Sequence, residues 1–305
     1  MYFPVIHSAR FDILALAGIG AEIRSSGTVI PVLIPVAKNE DGLRRLLRRY
    51  TRSGQPFCFV VNPICCRQLM PPDAVNRVMN DVLAENRVFH PTMMLNAATT
   101  RAEVDVFCER FPEDEMAFFH LDELRDAAAL ETVAARGRWH LLEPQRRAYV
   151  RRFAADTRVL IEDPFRKVKN ADYPEDESFS DTYAEFSNDG FAGFGDYQIV
   201  GRDYSPGGFT PRAVALHLTY TASDGAVRAR HFVSDTVTAA PEVPGRFLEV
   251  LEELVDWAGE DERDLEFSKA VAEYRALLQA ESYPGLGTPK RLGIQHHIEL
   301  MMSLL

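Results

Sequence analysis

Thr28–Asn62 reads TVIPVLIPVAKNEDGLRRLLRRYTRSGQPFCFVVN, a strand, a helix and a second strand in succession. Thr28–Lys38 is nearly all apolar, as suits a strand buried on both faces. Asn39 stands where a helix N-cap belongs, and Leu43, Leu46, Leu47 and Tyr50 then fall on one helical stripe. Gly54 marks the exit, and Phe57–Asn62 (FCFVVN) is apolar again. Such a strand–helix–strand unit implies parallel pairing through a right-handed crossover.

The same alternation runs outward in both directions. Tyr2–His7 is the first strand, followed by Ser8 as N-cap and by Phe11, Leu14, Ala15 and Gly18 on one stripe. Val88–Asn96 is the fourth, and Thr100 with Glu103 has capping-box spacing after it. Glu115–Leu121 (EMAFFHL), Arg138–Glu143 (RWHLLE), Arg158–Asp163 (RVLIED) and Phe191–Val200 complete a set of eight. Eight evenly spaced strands predict an α/β chain, a TIM-barrel-like (β/α)8 fold, in preference to an open doubly wound sheet. The absence of GxGxxG and GxxxxGK[ST] after any strand points the same way. Phe165–Gly190 is acidic and aromatic and reads as a lid or mobile loop. Pro211–Asp235 reads as an inserted β-hairpin turning at Asp224-Gly225, and amphipathic helices follow. The expected organisation is a single domain over 1–305: barrel core 1–201, hairpin appendage 202–240, closing and C-terminal helices 241–305.

The chain has 305 residues, 34 Lys+Arg against 45 Asp+Glu and a formal charge of −11. That balance disfavours direct nucleic-acid binding, which rests on phosphate neutralisation. The arginine groups Arg44, Arg45, Arg48, Arg49 and Arg146, Arg147, Arg151, Arg152 read first as solvated helix faces. The N-terminus lacks a cationic start followed by an apolar core, and no apolar run reaches bilayer length, so a cytoplasmic protein with no membrane association is expected. Cys58, Cys65, Cys66 and Cys108 have no zinc-type spacing. Buried free thiols are the preferred reading, with reactivity of the adjacent Cys65–Cys66 pair as the alternative.

In a barrel of this kind the C-terminal strand ends surround the active site. Those ends offer His7, Lys38, Asn62, Asn96, His120, Glu143, Glu162 with Asp163, and Asp196. Alternation groups Ala117, Phe119 and Leu121 on a helix-packing face, which sends His120 to the mouth. Trp139, Leu141 and Glu143 share a face, which allows Glu143 the same destination. Glu162 and Asp163 take opposite faces, so only one of them reaches it. His120, Glu143, Asp163 and Asp196 are the candidate catalytic residues, for acid–base work or to hold a divalent metal as cofactor. His7, Lys38, Asn62 and Asn96 are candidate ligand contacts, with ordinary loop polarity as the competing explanation. In the hairpin, a two-residue turn sets His217 opposite Phe232 and Leu218 opposite His231. His217 and Arg230 then share a face that suits an anionic ligand or plain solvent, and His231 is packed. His296 and His297 diverge on a helix and read as packed or interface residues, not as a metal pair.

Several segments also resemble the phage-type beta-protein family of bacteria. They are MYFPVIHSARFDILAL at the start, FGDY at Phe194–Tyr197, the hairpin AVALHLTY…RARHFVSD and YPGLGTPKRLGIQHHIELMM near the end. The best-matching residues are Gly195-Asp196-Tyr197, His217, Arg230-His231, Asp235 and His296-His297. The resemblance implies a barrel-like α/β fold and genes set beside small nuclease-like proteins, in phage-defence or mobile regions. It carries no catalytic residues with it. Two functional expectations follow: a scaffold or regulatory partner of a nuclease-like protein, or a barrel enzyme acting on an anionic, phosphorylated small molecule or nucleic-acid end.

Overall fold

Eight parallel strands in the order β1-β2-β3-β4-β5-β6-β7-β9 make the first of two units in this computed structural model. They are β1 (Val5–His7), β2 (Val32–Ile34), β3 (Phe57–Val60), β4 (Phe89–Leu95), β5 (Met116–His120), β6 (Gly137–Leu142), β7 (Arg158–Glu162) and β9 (Gly193–Asp196). A parallel bridge from Tyr2 to Phe194 joins the last strand to the first, and the Phe3 N–H donates to the Phe194 carbonyl at 2.8 Å. The predicted α/β TIM-barrel-like fold is therefore present. The structure describes residues 1–36, 39–66, 68–83, 88–112, 115–204, 213–235, 243–260 and 265–305. The first unit comprises Met1–Ile13, Arg24–Glu162 and Ala184–Asp196; the second comprises Leu14–Ile23, Asp163–Tyr183 and Tyr197–Leu305.

Local chemistry explains the helices between strands. Thr100 and Glu103 form a reciprocal capping box ahead of helix Arg101–Arg110, and Asp126 caps helix Ala127–Arg136 through the Ala128 and Ala129 N–H groups. Gly54 ends helix Glu40–Ser53 at φ 69°, a left-handed conformation that favours glycine.

Side-chain contacts tell the lumen from the helix layer. The Phe3 and Trp139 rings meet at 5.2 Å although their strands are not neighbours, so both point into the barrel. Strand register then places Ala117, Phe119 and Leu141 on the lumen side. Phe118, from the other face of β5, meets Phe107 of helix Arg101–Arg110 at 5.6 Å. His120 shares that outward face, so the expectation that it enters the mouth is corrected. Both faces of a parallel barrel strand are apolar, so alternation separates two faces without saying which is inner.

The second unit holds a three-stranded antiparallel sheet ordered β10-β11-β8, with β8 at Asp176–Ser180, β10 at Ala215–Thr221 and β11 at Val227–Val233. The stretch expected to be a lid thus supplies an edge strand. Leu216, Leu218 and Phe232 pack with Phe247, Leu251 and Leu254 of helix Val243–Ala258 in its core. The hairpin register differs from expectation by one residue. The Gly225 N–H donates to the Ala222 carbonyl, the Ala222 N–H donates to the Ala226 carbonyl, and Gly225 has φ 88°. This is a three-residue loop with glycine in the left-handed position. His217 consequently faces His231, and Arg230 lies opposite Leu218. Among the described residues no helix is long and apolar enough to cross a membrane.

Candidate functional site

At the C-terminal end of β1, His7 follows Phe3 and Val5 on the lumen face and is buried. Its backbone is pinned beside the end of β2. The Ser8 N–H donates to the Ile34 carbonyl (2.9 Å), the Val36 N–H donates to Ser8 Oγ (2.9 Å), and Asn39 Nδ2 donates to the Ser8 carbonyl (3.0 Å). The segment after β3 folds back over the same place. Val36 and Leu69 form an antiparallel bridge, and the Met70 N–H donates to the Pro35 carbonyl (3.2 Å). This return carries Cys65 and Cys66 to His7. A ring nitrogen of His7 and both sulfurs lie within 4.8 Å of one another. The two sulfurs are 3.7 Å apart, neither is in a disulfide, and both residues are half-buried. An imidazole and two thiols so placed suit a soft metal ion or thiolate chemistry. Cys58 is different: burial pushes its thiol up to about 12, which makes it inert.

The other predicted residues of this unit serve the framework. Asn62 Nδ2 donates to the Met94 carbonyl (2.9 Å) and its Oδ1 accepts the Met94 N–H (2.7 Å), so one side chain lengthens the β3–β4 ladder. Asn62→Ala strands two buried backbone groups and is expected to cost about 2 kcal/mol in urea unfolding. Asn96 Oδ1 accepts the Ala98 N–H (2.8 Å) in the turn before the capping box. Asp196 is buried and accepts the Tyr2 hydroxyl at 2.8 Å on the outward face, beside the barrel closure. Of the four candidate catalytic residues, Glu143 follows the lumen face, after Trp139 and Leu141, and is buried. Lys38 lies outside the described residues.

His120 anchors a separate buried network under the helix layer. The Leu124 N–H donates to Tyr149 Oη (3.2 Å), and that hydroxyl reaches His120 Nδ1 at 2.8 Å. His120 Nε2 meets His140 Nδ1 at 3.2 Å, and the Phe153 ring stacks on His140 at 4.1 Å. Burial, then the neighbouring Arg158, lowers His140 to about 3, while burial and His140 hold His120 well below its ordinary value. Burial raises Tyr149 to about 12. The hydroxyl therefore donates to a neutral His120, and the imidazoles pass one neutral hydrogen bond between them. This cluster fixes helix-layer packing.

In the second unit His217 and His231 meet through their Nδ1 atoms at 2.7 Å, and His231 Nε2 donates to Glu177 Oε1 at 3.1 Å. With His231 donating outward, its Nδ1 is an acceptor and His217 supplies the shared proton. Burial, with His231 adding to it, lowers His217 to about 3, so it is neutral and does not attract an anion. Arg230, its expected companion, is on the other face and paired with Glu175. Asp163 is exposed and its Oδ1 accepts the Arg202 N–H (3.2 Å). His296 and His297 are buried, as expected: His296 Nε2 donates to the Thr219 carbonyl (2.7 Å) and His297 Nδ1 bonds Thr219 Oγ1 (2.9 Å).

The structure thus brings His7 to Cys65 and Cys66, leaves Glu143 on the lumen-facing side of β6, and disperses the other candidates among the described residues. The signal in the sequence was the adjacent thiol pair directly after an apolar strand, in a loop that this architecture places at the mouth. Comparison with models of protein families, with curated proteins and with solved structures gives no match to this chain.

Proposed function

We propose that the chain is a barrel enzyme working at the C-terminal mouth, with His7, Cys65 and Cys66 as its reactive groups. The observation that carries this reading is their convergence within 4.8 Å at the strand ends of β1 and β3. In this architecture those strand ends are where reaction centres are built. An imidazole can accept a thiol's proton, and the thiolate is both the nucleophile and the metal ligand. Glu143, buried and on the lumen-facing side of β6, supplies a carboxyl group for proton transfer at the mouth. The substrate class that fits is a small molecule able to enter a barrel mouth.

The test is incubation of the purified chain with a cell metabolite extract, read by mass spectrometry. Wild-type protein is expected to consume at least one compound. His7→Ala and Glu143→Gln are each expected to slow that loss by about 100-fold or more. An unchanged extract, or consumption at the wild-type rate by both variants, rejects the proposal. The resemblance-based reading, a scaffold for a nuclease-like protein in a phage-defence or mobile region, makes a different prediction. A scaffold keeps its partner in co-purification after His7→Ala.

A further inference from the structure

Two sulfurs bound to one tetrahedral ion at about 2.3 Å each must lie about 3.8 Å apart. The Cys65 and Cys66 sulfurs are 3.7 Å apart, far beyond the roughly 2.05 Å of a disulfide. The His7 nitrogen completes a triangle whose sides are all within 4.8 Å, wide enough for one ion at its centre. We propose that His7, Cys65 and Cys66 form a binding site for a single thiophilic divalent cation of the zinc class, its fourth position left to water or substrate by the described residues. This deepens the reading of the mouth given above and rests on it for its catalytic meaning.

Three features support the assignment. Two sulfurs and one imidazole form a soft donor set, which selects zinc-class ions over magnesium or calcium, whose ligands are oxygens. Three protein ligands with a vacant position is the pattern of catalytic zinc, whereas structural sites are closed by four. The donors are also held in place before any ion arrives. Ser8 and Asn39 tie the His7 backbone to the end of β2, and the Val36–Leu69 bridge returns the thiol loop to the same strand. Bound there, the ion would hold a water or a substrate oxygen or sulfur at the barrel mouth. Binding converts two thiols to thiolates, so about two protons are released for each ion taken up.

The experiment uses the reduced, chelator-treated full chain titrated with Co²⁺ alone, followed by Zn²⁺. The expected result is one Co²⁺ per chain with a thiolate-to-cobalt charge-transfer absorption in the near ultraviolet, erased when Zn²⁺ displaces it. Zn²⁺ is also expected to slow alkylation of Cys65 and Cys66 about tenfold or more and leave Cys58 and Cys108 unchanged, a readout that needs no variant. His7→Ala is expected to weaken binding by about tenfold or more, since loss even of a supporting contact costs that much. Absence of the absorption at stoichiometric Co²⁺, its persistence in the Cys65→Ser/Cys66→Ser double variant, or unaltered alkylation each overturns the site. If the ion is refused and His7→Ala still stops turnover, the metal assignment fails and the mouth reading stands. If the ion binds and no substrate is consumed, the metal site stands and the enzyme reading fails.

Discussion

Gly195→Ala is expected to lower the thermal midpoint by roughly 6–12 °C, the equivalent of about 3 kcal/mol in a chain of this size. A β-carbon at Gly195 would overlap the Phe3 carbonyl oxygen, well inside van der Waals contact distance, and come within 2.9 Å of Ile161 Cδ1. The first of these is backbone, and that backbone closes the barrel through the Phe3–Phe194 hydrogen bond. A flexible side chain could turn aside, but the Phe3 carbonyl cannot move without shifting the backbone whose N–H pairs with Phe194. Gly193 repeats the constraint one lumen position earlier, where a β-carbon would meet the Phe3 ring at 2.7 Å and the Met1 carbonyl at 2.8 Å. Gly245 is the control. Nothing lies within 4 Å of a β-carbon there, at the start of helix Val243–Ala258. Gly245→Ala should be neutral or stabilising by up to about 1 kcal/mol. Equal midpoints for Gly195→Ala and the wild type would remove the closure argument.

Acid is expected to unfold the protein across the titration range of histidine. His120, His140 and His296 are fully buried and held neutral by desolvation, with His140 at about 3 and His296 at about 4. In the unfolded chain the same rings titrate near 6.5. Below that value the unfolded state binds more protons than the folded one, so stability falls as the pH falls. The loss continues until the folded-state values are reached, near 3 to 4. Each such ring contributes about 1.4 kcal/mol per pH unit within that window. His140 and His296 alone amount to roughly 5 kcal/mol between pH 6.5 and 4.5, comparable with the whole stability of a modest domain, and His120 acts in the same direction. His217, lowered to about 3 beside His231, adds in the same direction. Urea unfolding at a series of pH values, with proton uptake measured at pH 5, checks this. About three to four protons should be absorbed on unfolding, and a flat stability profile would refute it.

Much of the barrel was legible because its determinants are local. FCFVVN, EMAFFHL and RVLIED are apolar runs between helix stripes, and β3, β5 and β7 lie inside them. What stayed hidden depends on contacts distant in sequence or on single residues of length. The outward placement of His120 is set by Phe107 and by the lumen contact of Phe3 with Trp139, which no pattern within EMAFFHL encodes. The hairpin register turned on one extra residue in its loop, and in a sheet a one-residue shift changes which residues face each other. That shift joined His217 to His231 and separated Arg230 from them. At the mouth, His7 was visible as a strand end. The adjacent thiols were visible too, but not their approach to His7, because the Val36–Leu69 bridge that delivers them is a single backbone pairing without a side-chain signature. The vicinal cysteines read in the sequence as packed thiols, whereas the fold sets both sulfurs within 4.8 Å of a His7 ring nitrogen.

The closure between Tyr2 and Phe194 also sets a schedule for folding. Every other barrel pairing joins strands that are consecutive within the sheet order and near one another along the chain. The first strand must wait for a partner that leaves the ribosome only after the seven others are made. Until then β1 and its growing sheet present an open edge to other chains. A late, slow kinetic phase is the natural counterpart of that long-range pairing. Crowded expression at high temperature should therefore favour aggregation before the ring is complete.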